Sequence, residues 1–201
     1  MMDKGGIITF FNKLSNEWDI SFDERKQQYL WEIFDRYIPL LPSPVLDLGS
    51  GTGALIPFLE RESAQPKTIV ELDIAREMLK KARGKRNGFD ELYFVQADGS
   101  RLPFADNGFG TVFCFQVVPH FEDKLLLFRE IKRVLRPYGL VVVLHLMDHQ
   151  RLNSLHSGYS EPVRGHRMIP VQELAEMLTG CGFSISQALE REDLYLLIAA
   201  R

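Results

Sequence analysis

Residues 45–53 read Val45-Leu46-Asp47-Leu48-Gly49-Ser50-Gly51-Thr52-Gly53, a strand-like run that meets three alternate glycines without a spacer. That order predicts a strand-to-helix turn at the carboxyl edge of a parallel sheet, the edge at which ligands bind. Gly49 and Gly51 permit a tight bend and let a ligand approach the backbone, because a side chain there would occupy the ligand's own volume. The glycines alone leave the ligand open. Gly49, Gly51 and Ala54 also satisfy the GxGxxG/A spacing of dinucleotide-binding turns, so an NAD-linked oxidoreductase stands as an alternative.

The rest of the chain supplies the sheet that such a turn requires. Apolar runs at 45–48, 68–72, 92–95, 111–115 and 140–146 are separated by helical segments, an alternation that predicts parallel strands covered on both faces. Between the fourth and fifth runs, Leu127, Phe128, Ile131, Val134 and Leu135 fall on one helical stripe, which Pro137-Tyr138-Gly139 is expected to end. Runs at 183–190 and 194–200 are joined only by Arg191-Glu192-Asp193, which favours an antiparallel hairpin. Outside this core lie residues 1–42, with a helix expected over 24–37, and residues 147–170. A connection as long as the second is usually functional or holds a helix of its own.

With 201 residues, 45% of them hydrophobic, the chain is expected to form one domain. A net charge of -3 gives no global basic field, so no nucleic-acid partner is expected. Arg76, Lys80, Lys81, Arg83, Lys85 and Arg86 form a local basic run, read as the solvated face of the helix after the second strand. Cys114 and Cys181 make neither a disulfide framework nor a metal motif and suggest a reducing compartment. The first residues lack a signal-peptide pattern, and the longest apolar run, 140–144, falls well short of a membrane span. A cytoplasmic protein, monomeric or homodimeric, is the expectation.

Residues 45–53 resemble motif I of the class I S-adenosylmethionine (SAM) dependent methyltransferases, of the small-molecule, type 11-like kind. The resemblance continues in order through Ile69-Val70-Glu71-Leu72-Asp73-Ile74, Val95-Gln96-Ala97-Asp98-Gly99, Thr111 to Gln116 and Leu135-Arg136-Pro137-Tyr138-Gly139. Ordered segments of this kind are far more specific than a glycine pattern. The resemblance implies a Rossmann-like, doubly wound α/β fold whose seven-stranded sheet ends in an antiparallel strand. It also implies SAM as cofactor and a small-molecule methyl acceptor. Asp47 fits that reading, since no phosphate need lie at this turn and a carboxylate is tolerable beside the ammonium of the cofactor. Within the family the turn, here Asp47, Gly49, Ser50, Gly51 and Gly53, receives the methionine half, and Gln116 is a further cofactor-binding position.

Asp73 closes the second strand about 20 residues after the turn, where a carboxylate can accept both ribose hydroxyls. Glu71, on the same side of the strand, is an alternative holder. Asp98 can accept from the adenine amino group and the Gly99 N–H can donate to the ring, with Ile74, Met78 and Leu102 as apolar surface. Phe10-Phe11, Trp18-Asp19 and the helix expected over 24–37 resemble the N-terminal lid of small-molecule methyltransferases, with a helix that simply covers the sheet as the alternative.

Methyl transfer is an in-line displacement that requires positioning more than covalent catalysis. An acceptor with an acidic proton needs a base within hydrogen-bond reach. His120, in the loop after the fourth strand, and His145, at the end of the fifth, are the candidates, although a histidine in such a loop can also merely cap a helix. All five histidines, His120, His145, His149, His156 and His166, fall in the second half of the chain. If residues 147–157 are helical, His149, Asn153 and His156 share one face at i, i+4 and i+7 and are expected on the substrate side. No established metal signature fits them, and no metal is expected. An ordinary imidazole base would give a rate rising through about pH 6 to 7.

The chain departs from the family in two places: Phe109 is followed by Gly110 where an aspartate is frequent, and Pro137-Tyr138-Gly139 replaces Pro-Gly-Gly. The Asn-Pro-Pro-Tyr signature of DNA and protein-glutamine amino methyltransferases is absent, because the fourth strand runs into Gln116-Val117-Val118-Pro119. The functional expectation is methyl transfer to an oxygen or nitrogen of a small molecule. A non-catalytic SAM-binding module is the second alternative, since its cofactor site would look the same.

Overall fold

In the computed structural model, which describes residues 4–86 and 90–201, seven strands form one sheet. They are β1 (Val45–Leu48), β2 (Ile69–Asp73), β3 (Leu92–Gln96), β4 (Phe109–Phe115), β5 (Leu135–His145), β6 (Ser184–Arg191) and β7 (Leu194–Ala200). The order across the sheet is β3-β2-β1-β4-β5-β7-β6. Strands β1 to β5 pair in parallel, and β7 runs antiparallel to both β5 and β6. Strand order reverses between β1 and β4, so a crevice opens beyond their carboxyl ends. Every residue of β1 is buried, as a strand covered on both faces must be.

One face carries α5 (Lys124–Val134) and α7 (Val171–Gly180), with Leu46, Leu48, Cys114 and Val143 meeting Leu127, Ile131 and Leu174. The other carries α2 (Glu24–Tyr37) and α3 (Ile56–Glu62), where Phe34 stacks on Phe113 at 5.6 Å. The helix expected over 24–37 is thus a sheet cover, capped by Asp23. It is α1 (Lys4–Leu14) that lies against α4 (Arg76–Arg83) at the crevice. Helix α4 has no cap of its own. Asn12 of α1 supplies one, its Oδ1 accepting from the Glu77 N–H at 3.0 Å. Residues 147–170 contain α6 (His149–Ser157), capped by Asp148.

Leu135 corrects the expected helical stripe. Helix α5 stops at Val134, and Leu135 opens β5 opposite Phe109. The C-terminal residue explains the change: the Arg201 guanidinium takes the Leu135 carbonyl, while its backbone bonds both Tyr138 and Gly139. Residues 135–139 are thereby drawn into the sheet instead of ending a helix.

The first departure from the family also has a local reason. Any Cβ at Gly110 would stand 2.4 Å from the Pro42 carbonyl oxygen. That carbonyl accepts from Thr111 Oγ1, and the Gly110 N–H bonds the Pro44 carbonyl, so neither partner can yield. Gly110→Ala is expected to destabilise the fold by about 1–3 kcal/mol, the range for overpacking a closed site. Chemical denaturation checks this, and an unchanged midpoint would show that the segment at Pro42 can shift.

Candidate active site

The glycine turn is built by hydrogen bonds from the neighbouring strand. The N–H groups of Gly49 and Ser50 both donate to the Leu72 carbonyl, at 2.8 and 3.0 Å. One residue further along, Asp73 Oδ2 accepts from the Gly51 N–H at 2.9 Å and Oδ1 from the Ala75 N–H at 2.7 Å. Gly49, Gly51 and Gly53 all have positive φ, near 74°, 55° and 76°, which makes glycine the low-strain choice at each. Their surroundings differ. A Cβ on Gly49 would strike Val117 at 2.2 Å and one on Gly53 would strike Ile56 at 2.6 Å, whereas the nearest atom at Gly51 is Trp18 Nε1 at 3.6 Å. Gly51 therefore faces open space, and Gly53 serves packing onto α3 and α4, off the cavity wall expected for it.

That space is a cavity of about 280 Å³. Gly49, Ser50, Gly51, Asp73, Ile74, Met78, Asp98, Gly99 and Gln116 line it. Across from them stand Lys4, Ile7 and Phe11 of α1 and Trp18. Gln116 holds φ at 54°, uncommon for a residue with a side chain, at the point where β4 ends. Asp98 pairs with Lys4 and accepts from the Ser100 N–H and hydroxyl. Burial alone would raise its carboxyl, but Lys4 and Ser100 hold it below the ordinary range.

Leu102 is a correction: it sits in the core, off the cavity wall. Its N–H donates to Glu130 and its carbonyl accepts from Arg133, two residues of α5 that draw this loop away from the opening. Glu71, the alternative ribose holder, is also displaced. It is fully buried beneath the turn, while Asp73 reaches the cavity. Asp47 lies beside Glu71 in register, also buried and behind the wall, and none of their four carboxylate oxygens has a hydrogen-bond partner among the described residues. Burial raises both carboxyls, reinforced by the charge of Asp73 for Asp47 and by those of Asp47 and Asp73 for Glu71, with Asp47 raised to about 8 and Glu71 also well above its ordinary value.

A second cavity of about 80 Å³ adjoins the first. Phe11, Trp18, Gln116 and His120 line both. His145, Met147, Leu152, His156 and Tyr159 complete much of its wall. His120 Nδ1 lies 2.7 Å from His166 Nδ1, and the His120 and His156 rings are 5.2 Å apart. Burial lowers the pKa of all four histidines of this cluster, with neighbouring imidazoles adding to it for His120, His145 and His166; His145 falls to about 3 and His166 to about 4. Two expected members are elsewhere. His149 is held at 2.6 Å by Glu190 of β6, and Asn153 exchanges two hydrogen bonds with the Met168 backbone, which turns both toward the C-terminal half and away from the cavity. His166, outside both cavity walls, joins the cluster through its contacts with His120 and His156. The only signal for it in the sequence is its place among the five histidines of the second half, within the long connection 147–170. Among the described residues, no group of three or more His, Cys, Asp or Glu is placed to hold a metal ion.

A parallel sheet reversed at β1 and β4, a DxGxGxG turn and an acidic residue closing β2 are features of the class I SAM-dependent methyltransferases, and the matches to known methyltransferases assign the chain to that class. The methyltransferase domain family matches residues 46–143. The chain is 32% identical over 136 residues to a malonyl-[acyl-carrier protein] O-methyltransferase of Marinomonas sp., covering 66% of this chain but 48% of that protein. It is 28% identical over 203 residues to a ubiquinone/menaquinone biosynthesis C-methyltransferase of Rickettsia bellii, covering 94% and 78%. Thus the chain spans about half the length of the first relative. Among solved structures, one from the complex of the Haloferax volcanii Trm112 methyltransferase activator with a methyltransferase matches with a TM-score of 0.77 at 18% identity, over 94% of this chain and 96% of that one. A SAM-dependent methyltransferase from Aquifex aeolicus matches with 0.68 at 18% identity, over 96% and 97%.

The cavity fits that cofactor by its own chemistry: a glycine opening, an acidic residue on the wall beside it, and two buried carboxyls beneath the turn where an ammonium would lie. Asp73→Ala should weaken S-adenosylhomocysteine binding by about 1.5–3 kcal/mol, the worth of hydrogen bonds to a charged group. Calorimetric titration tests this, and unchanged affinity would place the ribose contact on another residue. The buried pair gives a pH dependence. A carboxyl whose folded pKa is raised contributes stability that is full below the unfolded pKa of about 4 and is lost as pH rises through the folded value. The ligand-free protein should therefore lose thermal stability between about pH 4 and 8. A cationic ligand that favours the ionised pair should bind more tightly over the same rise. Asp47→Asn should flatten both trends.

Proposed function

We propose that the protein transfers the methyl group of SAM to a nucleophilic atom of a small molecule held in the second cavity, with oxygen and nitrogen as the acceptors considered first. The observation that carries this reading is the shared wall: Phe11, Trp18, Gln116 and His120 border both the cavity beside the glycine turn and the one behind it. A non-catalytic SAM-binding module would need only the first. The relatives include an O- and a C-methyltransferase, which adds carbon to the possible acceptors.

Bound SAM supplies a methyl group on a sulfonium, already a strong electrophile. The residues of the chain then position and shield. Asp73 would hold the ribose, Asp98 and Gly99 the adenine edge, and Ile74 and Met78 its faces, with Gln116 and the turn toward the methionine half. Helix α1 covers the junction with Ile7 and Phe11, so bulk water is kept from the transfer path. His120 stands at the junction, and His145 lies deeper, against Tyr195. Supporting a reducing, cytoplasmic setting, Cys114 and Cys181 are both free. Among the described residues no helix is long and apolar enough to cross a membrane. A monomer or homodimer without a nucleic-acid partner completes the proposal.

Titration with S-adenosylhomocysteine and with NAD, followed by a screen of small metabolites for S-adenosylhomocysteine release, tests the reading. Binding of NAD alone would overturn it. Because the buried imidazoles titrate below their ordinary value, the pH–rate profile should rise at lower pH than the rise between about 6 and 7 expected from an unperturbed histidine. A midpoint near pH 7 would assign the base to another group.

A further inference from the structure

His166 lines neither cavity, yet it touches two histidines that do. Its backbone carbonyl lies 3.2 Å from His156 Nδ1. A carbonyl only accepts, so neutral His156 carries its proton on Nδ1, and its Nε2 is a bare lone pair. The ring of His166 meets His120 Nδ1 to Nδ1 at 2.7 Å, a contact in which one nitrogen must donate and the other accept. The far nitrogen of His166, Nε2, is buried and has no hydrogen-bond partner among the described residues. If His120 donated, His166 would carry its proton on Nε2, stranding an N–H in the interior. If His166 donates, only a lone pair is stranded there. Orphaned buried N–H groups are the rarer of the two in proteins. His166 therefore donates from Nδ1, and His120 carries its proton on Nε2.

We infer that His166 holds His120 and His156 in opposite tautomers, so that together they bind the hydroxyl of a phenol or enol at the methyl-accepting position. His120 offers an N–H and His156 a lone pair, on rings 5.2 Å apart along one cavity wall. A hydroxyl oxygen satisfies both. One of its lone pairs accepts from His120, its hydrogen goes to His156, and a second lone pair remains to attack the methyl carbon. An amine nitrogen has a single lone pair and cannot both accept from His120 and attack. In the transfer the sulfonium C–S bond breaks and an O–CH₃ bond forms, or a C–CH₃ bond at the enol carbon. The O–H proton passes to His156 Nε2, and the cofactor leaves as a neutral thioether. Phe10, Phe11 and Tyr159 on the same cavity suit a planar apolar acceptor. Lys124, half-buried and close enough to depress the His120 and His166 pKa values, opposes protonation of the cluster before substrate arrives, as do His145 and the pair's own neighbours.

The inference rests on the methyl-transfer reading for its substrate, but its tautomers are testable without turnover. Histidine-labelled protein, with and without S-adenosylhomocysteine, is examined by long-range nitrogen–proton NMR at neutral pH, with signals assigned through His120→Gln and His156→Gln. The expected spectrum shows His120 protonated on Nε2 and His156 on Nδ1. In His166→Phe the backbone carbonyl stays, so His156 should be unchanged, while His120 should split between both tautomers. His120 protonated on Nδ1 in the native protein, or locked on Nε2 in both proteins, overturns the assignment to His166, and the native spectrum alone decides the first point if the variant does not fold. Matched phenols and anilines, incubated with SAM, separate oxygen from nitrogen. Faster S-adenosylhomocysteine release with the phenols supports the inference, and transfer to the anilines alone, or to none of the phenols, overturns the oxygen acceptor. Failure of S-adenosylhomocysteine to bind at all would instead sink the functional reading and leave the tautomers to stand or fall by the spectrum.

Discussion

Asp73 holds the site together by accepting from two turns at once. Its two oxygens take the N–H of Gly51, after β1, and of Ala75, before α4. The glycine turn and the start of the next helix are thus fixed relative to each other before any ligand enters. Each oxygen keeps a second lone pair for a hydroxyl, so the group that would read the ribose also braces the backbone beneath it. Asp73 pays for this in desolvation, which raises its carboxyl, with the backbone N–H groups opposing the rise.

Much of this was legible along the chain because it is written in short-range order. The glycine turn, the alternation of apolar runs and the helix over 24–37 depend on neighbours a few residues apart. Asp23 and the stripe of Leu30, Ile33 and Phe34 suffice to bound that helix. The misses involve partners far apart in sequence. Leu135 became a strand residue because Arg201 seizes its carbonyl, and Leu102 left the pocket because Glu130 and Arg133 pull its loop onto α5. No periodicity contains those contacts.

The histidines show the same division at the site itself. Helical spacing places His149, Asn153 and His156 on one face, and α6 exists, but a face can look in only one direction at each turn. Glu190 captures His149 across 41 residues of chain, Asn153 is consumed by Met168, and only His156 is left to look into the cavity. His166 then arrives on the return path. Its polar atoms replace the contribution that the helix does not make, and burial, reinforced by neighbouring imidazoles and Lys124, lowers the pKa values of the resulting cluster and so favours its neutral form.

The cap that Asn12 provides to α4 ties two parts of the site into one event. Helix α4 carries Met78 on the cavity wall, and its first turn has no side-chain cap from its own segment. Any motion that lifts α1 to admit a cofactor strips that turn of its acceptor, a loss of about 1 kcal/mol for a typical helix cap. The helix over the cavity and the wall beside it are therefore coupled through one hydrogen bond: a displacement of α1 would loosen the start of α4 as well.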